Sequence, residues 1–360
     1  MRITENMTAQ NSLYNIENAR SQMNTLQEQL SSGQNVNRPS DDPVTARLLM
    51  NINDQLSTAN QYSSNISKVD MWFQMADNAF TTMTQTLSDI RSKVSTVANG
   101  MATQSDLNNM VSYINLIKKT IVDTGNTDVN GVYIFAGTKN QSAPYVASTG
   151  DITSGSTTIA NVGSVANIKA GMVISGPGIA SGAKVTAVNA GPPASLTLDT
   201  AATTSNAGAG FTVYGGDGNN INVEMTKGSS ESINIPGNQF ITSSSSSPYG
   251  SVDILQTLDQ LAVDLKANNT TGINNDLTTL DNGSVQLISA QTQMQSRMVR
   301  FDTAKTMQQS TINTLNTVLD KTQTADYAKL GIELQNQQTA FQATLSATAK
   351  ISQMSLLNYI

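Results

Sequence analysis

Residues 30–50 read "LSSGQNVNRPSDDPVTARLLM", and this stretch decides how the chain begins to fold. The runs on both sides carry helical periodicity. Gly33 stops the first run, because a glycine just past a helix end adopts positive φ without a Cβ clash. Pro39 drives its predecessor, Arg38, out of the helical region. Asp42 offers a carboxylate to orphan amides, and Pro43 suits the first helical position. Asp41 and Asp42 also lie at the positive end of the next helix dipole. Arg38, Pro39, Asp41, Asp42 and Pro43 therefore read as an elbow and helix cap. An acid or metal pair would need a partner acid, base or ligand, and none lies near in sequence.

Upstream, Ala9, Ser12, Ile16, Ala19, Met23, Leu26 and Leu30 alternate spacings of three and four, a heptad seam. Downstream, Ile66, Val69, Phe73, Ala76, Phe80, Met83, Leu87, Ile90, Val94 and Val97 continue one seam. A helix from Pro43 to Ala98 would run on the order of 80 Å at ~1.5 Å per residue. A third helix follows, with Leu107, Met110, Ile114, Ile117 and Ile121 on one face. The middle changes character. "GVYIFAGT" (131–138) reads as a strand after an Asn-Gly turn, and 146–213 alternates short β runs with Gly-Pro turns. Residues 221–237 read as a hairpin and 242–248 as a polar linker. The last third is helical again, with a seam that includes Leu280, Leu287, Met294, Met298 and Phe301.

The expected fold is mainly α with a β insertion. An elongated bundle of long antiparallel helices is made from both terminal thirds, and a β domain from the middle of the chain protrudes. The expected divisions are an axial helix and elbow (1–42), a helical rod (43–130), an outer β domain (131–240) with an inserted segment at about 146–213, a second rod (250–322) and a C-terminal axial helix (323–360).

The chain has 360 residues, no Cys and no His, and a net charge of −6. Thiol chemistry, Cys/His zinc sites and Ser-His-Asp arrangements are thereby excluded. No basic patch suggests nucleic acid. No run approaches the roughly 18 apolar residues of a membrane span, so membrane insertion is not expected. Asp217-Gly218-Asn219-Asn220 suits a turn better than a cation loop. Neither a catalytic residue nor a cofactor is expected. From Leu334 to Ile360 Lys350 is the sole charged side chain. A helix so poor in charge is suited to burial among other helices, and alone it is marginal in water.

"LSSGQNVNRPSDDPVTARLL" resembles the N-terminal signature of the flagellin superfamily. "NRPSDDP" is closer to its hook–filament junction branch than to filament flagellin, where small residues usually follow the Asp pair. "ADYAKLGIELQNQQTAFQATLSATAKISQMSLLNYI" is similar to the superfamily's terminal helix, and "GVYIFAGT" and "YGGDGNNINVEM…INIPGNQF" to strands of its β domain. The resemblance covers roughly residues 1–145 and 214–360; 146–213 departs from it.

The resemblance implies a structural protein, not an enzyme. It would be exported through the flagellar type III apparatus without signal cleavage and held beforehand by a cytosolic export chaperone. It would then assemble with copies of itself as a ring between the hook-proximal hook-associated protein and the flagellin filament. The terminal helices would pair as the inner domain. Ile16, Met23, Leu26 and Leu30 of the first helix are expected to carry assembly contacts, with Leu330, Leu334, Phe341, Leu345, Ile351 and Leu357 of the last. A filament flagellin, or an adhesin using the inserted segment, are the alternatives.

Overall fold

The computed structural model describes residues 5–98, 102–244 and 246–357. Its helices come from both ends of the chain, and its strands from the middle. They are α1 (Glu5–Ser32), α2 (Pro43–Val97) and α3 (Gln104–Gly125), then α4 (Ile254–Lys266), α5 (Thr270–Gln323) and α6 (Tyr327–Leu357). Contacts divide the chain into two units, residues 1–61 with 307–360 and residues 62–306. Both α2 and α5 contribute residues to each.

In the 62–306 unit, the core forms where heptad stripes meet. Ile66, Val69, Phe73, Ala76, Phe80, Met83, Leu87, Ile90 and Val94 of α2 are all buried, as periodicity requires. They pack with Ile273, Leu280, Leu287, Met294 and Phe301 of α5, five residues at a strict seven-residue spacing. The two helices run antiparallel. Arg91 pairs with Asp281 at 3.0 Å, Asp77 accepts from Gln291 at 2.9 Å, and Asp70 pairs with Lys305. Met298, expected in the seam, is 42% exposed; at that level the neighbouring Arg297 turns inward instead. Thr103 caps α3 reciprocally with Asp106, and α3 lies antiparallel to α4 through a buried Lys118–Asp259 pair.

Among the described residues the middle supplies ten strands, and their pairing organises the β region. The hairpin β1 (Asp128–Val129) and β2 (Val132–Tyr133) is short. The rest of "GVYIFAGT" is an irregular strap, with Ile134, Phe135 and Ala136 fully buried. Its apolar residues read as strand, but they are used to plug the helical core. Phe135 meets Phe80 and Phe240 with ring centroids 5.6 and 5.1 Å apart.

β3 (Tyr145–Ile152) pairs antiparallel with β8 (Asn206–Tyr214), in a register that sets Tyr145 opposite Tyr214. The chain thus leaves and re-enters at one neck, where the two tyrosine rings meet at a tilt with centroids 5.1 Å apart. Beyond the neck, β5 (Val173–Ser175) joins β8, while β4 (Thr158–Ile159), β7 (Ser195–Leu198) and β6 (Val185–Asn189) form a second sheet. This module has its own core of Ile159, Ile174, Val185, Leu196, Phe211 and their neighbours.

β9 (Asn222–Thr226) and β10 (Ser229–Ser232) make the expected hairpin. Arg297 and Arg300 of α5 both reach Glu231 on that hairpin. The Arg297 guanidinium is largely buried and also donates to Asn234 O at 2.6 Å and Ser232 Oγ at 3.1 Å. The 242–248 segment is not a loose linker either. Thr242 and Ser243 are buried, and Gln286 of α5 donates to Phe240 O, Ser243 Oγ and Val252 O.

Candidate assembly interface

In the other unit, α1 and α6 lie side by side. Gln337 Nε2 donates to Gln22 Oε1 at 2.8 Å, and Ala325 N donates to Gly33 O at 3.0 Å. These contacts fix an antiparallel register in which Leu345 stands level with Tyr14. In α1, Ser12, Ile16, Ala19, Met23, Leu26 and Leu30 are half-buried and repeat the heptad spacing. In α6 the matching line is Leu330, Leu334, Gln337, Phe341, Thr344 and Thr348, of which only Leu330 is fully buried. A two-helix seam with so little complete burial gains modest hydrophobic stabilisation.

The site residues divide accordingly. Ile16, Met23, Leu26, Leu30, Leu330, Leu334 and Phe341 lie on the lines along which α1 and α6 face each other. Leu345 does not: its position is taken by Thr344, and it is 44% exposed. The side chains of Ile351 and Leu357 lie outside the described residues. Sequence reasoning missed the outward apolar residues of the pair, Leu13 at 59% exposure, Tyr14 at 64% and Ile332 at 64%. Large apolar side chains left exposed on a charge-poor helix were the available signal.

The elbow joins the pair at its base. Asp42 Oδ1 accepts from the amides of Val44 and Thr45, both at 3.0 Å, and Oδ2 accepts from Thr45 Oγ1 at 2.6 Å. Those donors, the Thr45 hydroxyl first, hold its carboxyl below the usual range. Asp41 Oδ2 accepts from Arg38 N at 3.1 Å, and the Arg38 guanidinium reaches back to Glu28 at 3.1 Å. Both aspartates are thus occupied by local donors. Asn35 ties the elbow to the α5–α6 turn: its amide donates to Gln323 O at 2.8 Å, and its side chain to Thr324 O at 3.0 Å. Gln34 and Thr324 form an antiparallel bridge.

Gly33 sits at φ +70, and an added Cβ would lie 2.5 Å from the Tyr327 hydroxyl. Gly33→Ala is expected to destabilise this turn by about 1–2 kcal/mol, whereas Gly33→Asn, which tolerates positive φ, costs less. Urea unfolding followed by amide exchange in α1 measures both.

Residues 3–140 match the family model of the bacterial flagellin N-terminal helical region. The chain is 27% identical over 151 residues to flagellar hook-associated protein 3 of Salmonella typhimurium, covering 42% of this chain and 48% of that protein. Against the protein of the same name from Escherichia coli, identity is 26% over 160 residues, covering 44% and 50%. The chain resembles flagellar hook-associated protein 3. It spans about half the length of these curated relatives. The fold is that of a Vibrio parahaemolyticus protein solved as a flagellar hook-associated protein, with a TM-score of 0.55 at 17% identity, covering 79% of this chain and 100% of that one. The flagellin-type region takes in α1, the elbow, α2 and α3.

Among the described residues, no group of three or more His, Cys, Asp or Glu could hold a metal ion, and no helix is long and apolar enough to cross a membrane.

Proposed function

We propose that this chain is a structural subunit of the bacterial flagellum, built into the junction between the hook-proximal hook-associated protein and the flagellin filament. The observation that carries this reading is the α1–α6 pair. The two ends of a flagellin-type chain meet along a thinly buried seam and leave Leu13, Tyr14, Ile332 and Leu345 facing outward. Such a pair is marginal by itself and is completed when further helices cover its apolar residues. In this reading the covering helices belong to other copies in a ring and to the flanking flagellar proteins. Export through the type III apparatus, with a cytosolic chaperone holding α6, belongs to the same reading. So does an extracellular place on the flagellum. The similarity to proteins named flagellar hook-associated protein 3 supports it.

A strain deleted for this chain tests it directly. Intact hooks without filaments, with flagellin monomers lost to the medium, are the expected result. Filaments of normal length on that strain would refute a junction role.

A further inference from the structure

The module bounded by β3 and β8 is also seated on the helical core through hydrogen bonds made by β5 and the residues that follow it. Ser175 Oγ of β5 donates to Asp253 Oδ1 at 2.7 Å. Gln256 Nε2 of α4 donates to Ile179 O, and Ser181 Oγ donates to Ser243 O at 2.9 Å. Ser175 and Asp253 are both buried. Asp253 is the N-cap of α4, with Oδ1 also accepting from Gln256 N at 3.0 Å. Its other oxygen, Oδ2, is buried and has no hydrogen-bond partner. An ionised carboxylate with one oxygen cut off from water and from donors is costly. A proton on Oδ2 removes that cost and leaves both bonds to Oδ1 in place.

We propose that Asp253 is a proton-operated latch between the inserted β module and the helices: protonation of Oδ2 seats the module, and ionisation loosens it.

The surroundings favour the neutral form. Lys118 of α3 is the cation that faces Asp253, but both oxygens of Asp259 hold it, at 2.7 and 2.6 Å. Asp259 itself adds repulsion from α4. The remaining neighbours are uncharged near neutral pH. β3 brings the Tyr145 phenol, pushed further up by burial, and behind it Tyr214 of β8. The segment before α4 brings Thr242, bridged to Asp253, and α5 brings Gln286, bonded to Val252. Burial, opposed by the bonds from Gln256 and Ser175, lifts the Asp253 carboxyl to about 6.

The sign follows from linkage. The group binds its proton more tightly when the module is seated than when water reaches it. Seating is therefore strongest on the acid side and is lost as pH rises through the seated value. Between an ordinary carboxylate and one near 6, the ceiling on this change is on the order of a hundredfold.

The test is hydrogen exchange on the full chain at about pH 5 and about pH 8, each rate divided by the intrinsic amide rate. Exchange of residues 173–183 is expected to rise by up to about tenfold at the higher pH, while β7 inside the module stays flat. Asp253→Asn keeps the cap and carries no charge. It is expected to hold residues 173–183 at the acid level of protection at both pH values. Equal protection of the unaltered chain at both pH values would overturn the latch. So would a pH dependence that survives in Asp253→Asn, including one that then disappears in Asp259→Asn, since that places the proton on the Lys118 pair.

Discussion

Leu345→Asp is expected to leave the free chain unchanged and to stop its incorporation into flagella, whereas Phe341→Asp is expected to disturb the free chain as well. The two residues are one turn apart on α6. Phe341 lies on the line facing α1, so a carboxylate there separates the pair. Leu345 is 44% exposed, so a carboxylate there is solvated in the monomer and alters its stability by less than about 0.5 kcal/mol. Covered by a neighbouring subunit, the same carboxylate would be buried without a partner, at a cost of several kcal/mol and at least about a hundredfold in incorporation. Amide exchange of α1 in purified monomer, together with the amount of each variant in sheared flagella, separates the two effects. Normal incorporation of Leu345→Asp would remove this part of α6 from the contact surface. Tyr14→Asp, level with Leu345 on the other helix, should behave in the same way.

Gln286→Leu is expected to destabilise the 62–306 unit strongly. Gln286 is buried on α5, and its amide bonds two straps that precede α4, one at residues 240–243 and one at Val252. Nε2 serves Phe240 O at 2.9 Å, Ser243 Oγ at 3.0 Å and Val252 O at 2.9 Å, and Oε1 accepts from Val252 N at 3.0 Å. Leucine fills nearly the same volume but leaves these backbone groups unpaired in the core. At about 1–3 kcal/mol for each unsatisfied group, and with partial relaxation, a loss of about 4 kcal/mol is expected. A urea titration reads it as a lower midpoint. Gln286→Glu should be no milder at neutral pH, since its second carboxylate oxygen would face the Phe240 and Val252 carbonyls in a buried site. A Gln286→Leu chain with unchanged stability would show that the straps hold without this amide.

Gln286 also marks the boundary of what periodicity reveals. It stands one residue before the seam position Leu287, where a reading by pattern assigns a polar residue to solvent. It is buried because two straps from the β region cross α5 at that level, and their carbonyls need a donor. Arg297 is largely buried for the same reason, and its partner Glu231 is 66 positions earlier in the chain. Local spacing carries no information about which distant loop will cover a helix face. The α2 seam was legible because ten apolar positions at helical spacing admit one buried side, whatever packs on it.

The elbow shows the same division at the candidate interface. Gly33, Pro39, Asp42 and Pro43 act through their own φ, missing N–H or side-chain oxygen, so the sequence by itself determined a helix stop, an extended link and a capped restart. It also determined that α1 carries a heptad seam and that the last helix carries little charge. That Asn35 would bond the turn at 322–324, that the two lines would face each other, and that Leu13, Tyr14, Ile332 and Leu345 would be left outside them were decided only by the tertiary structure. Those facts depend on the antiparallel register between segments some three hundred residues apart. Register is a property of two chains of side chains in contact, and neither segment specifies it alone.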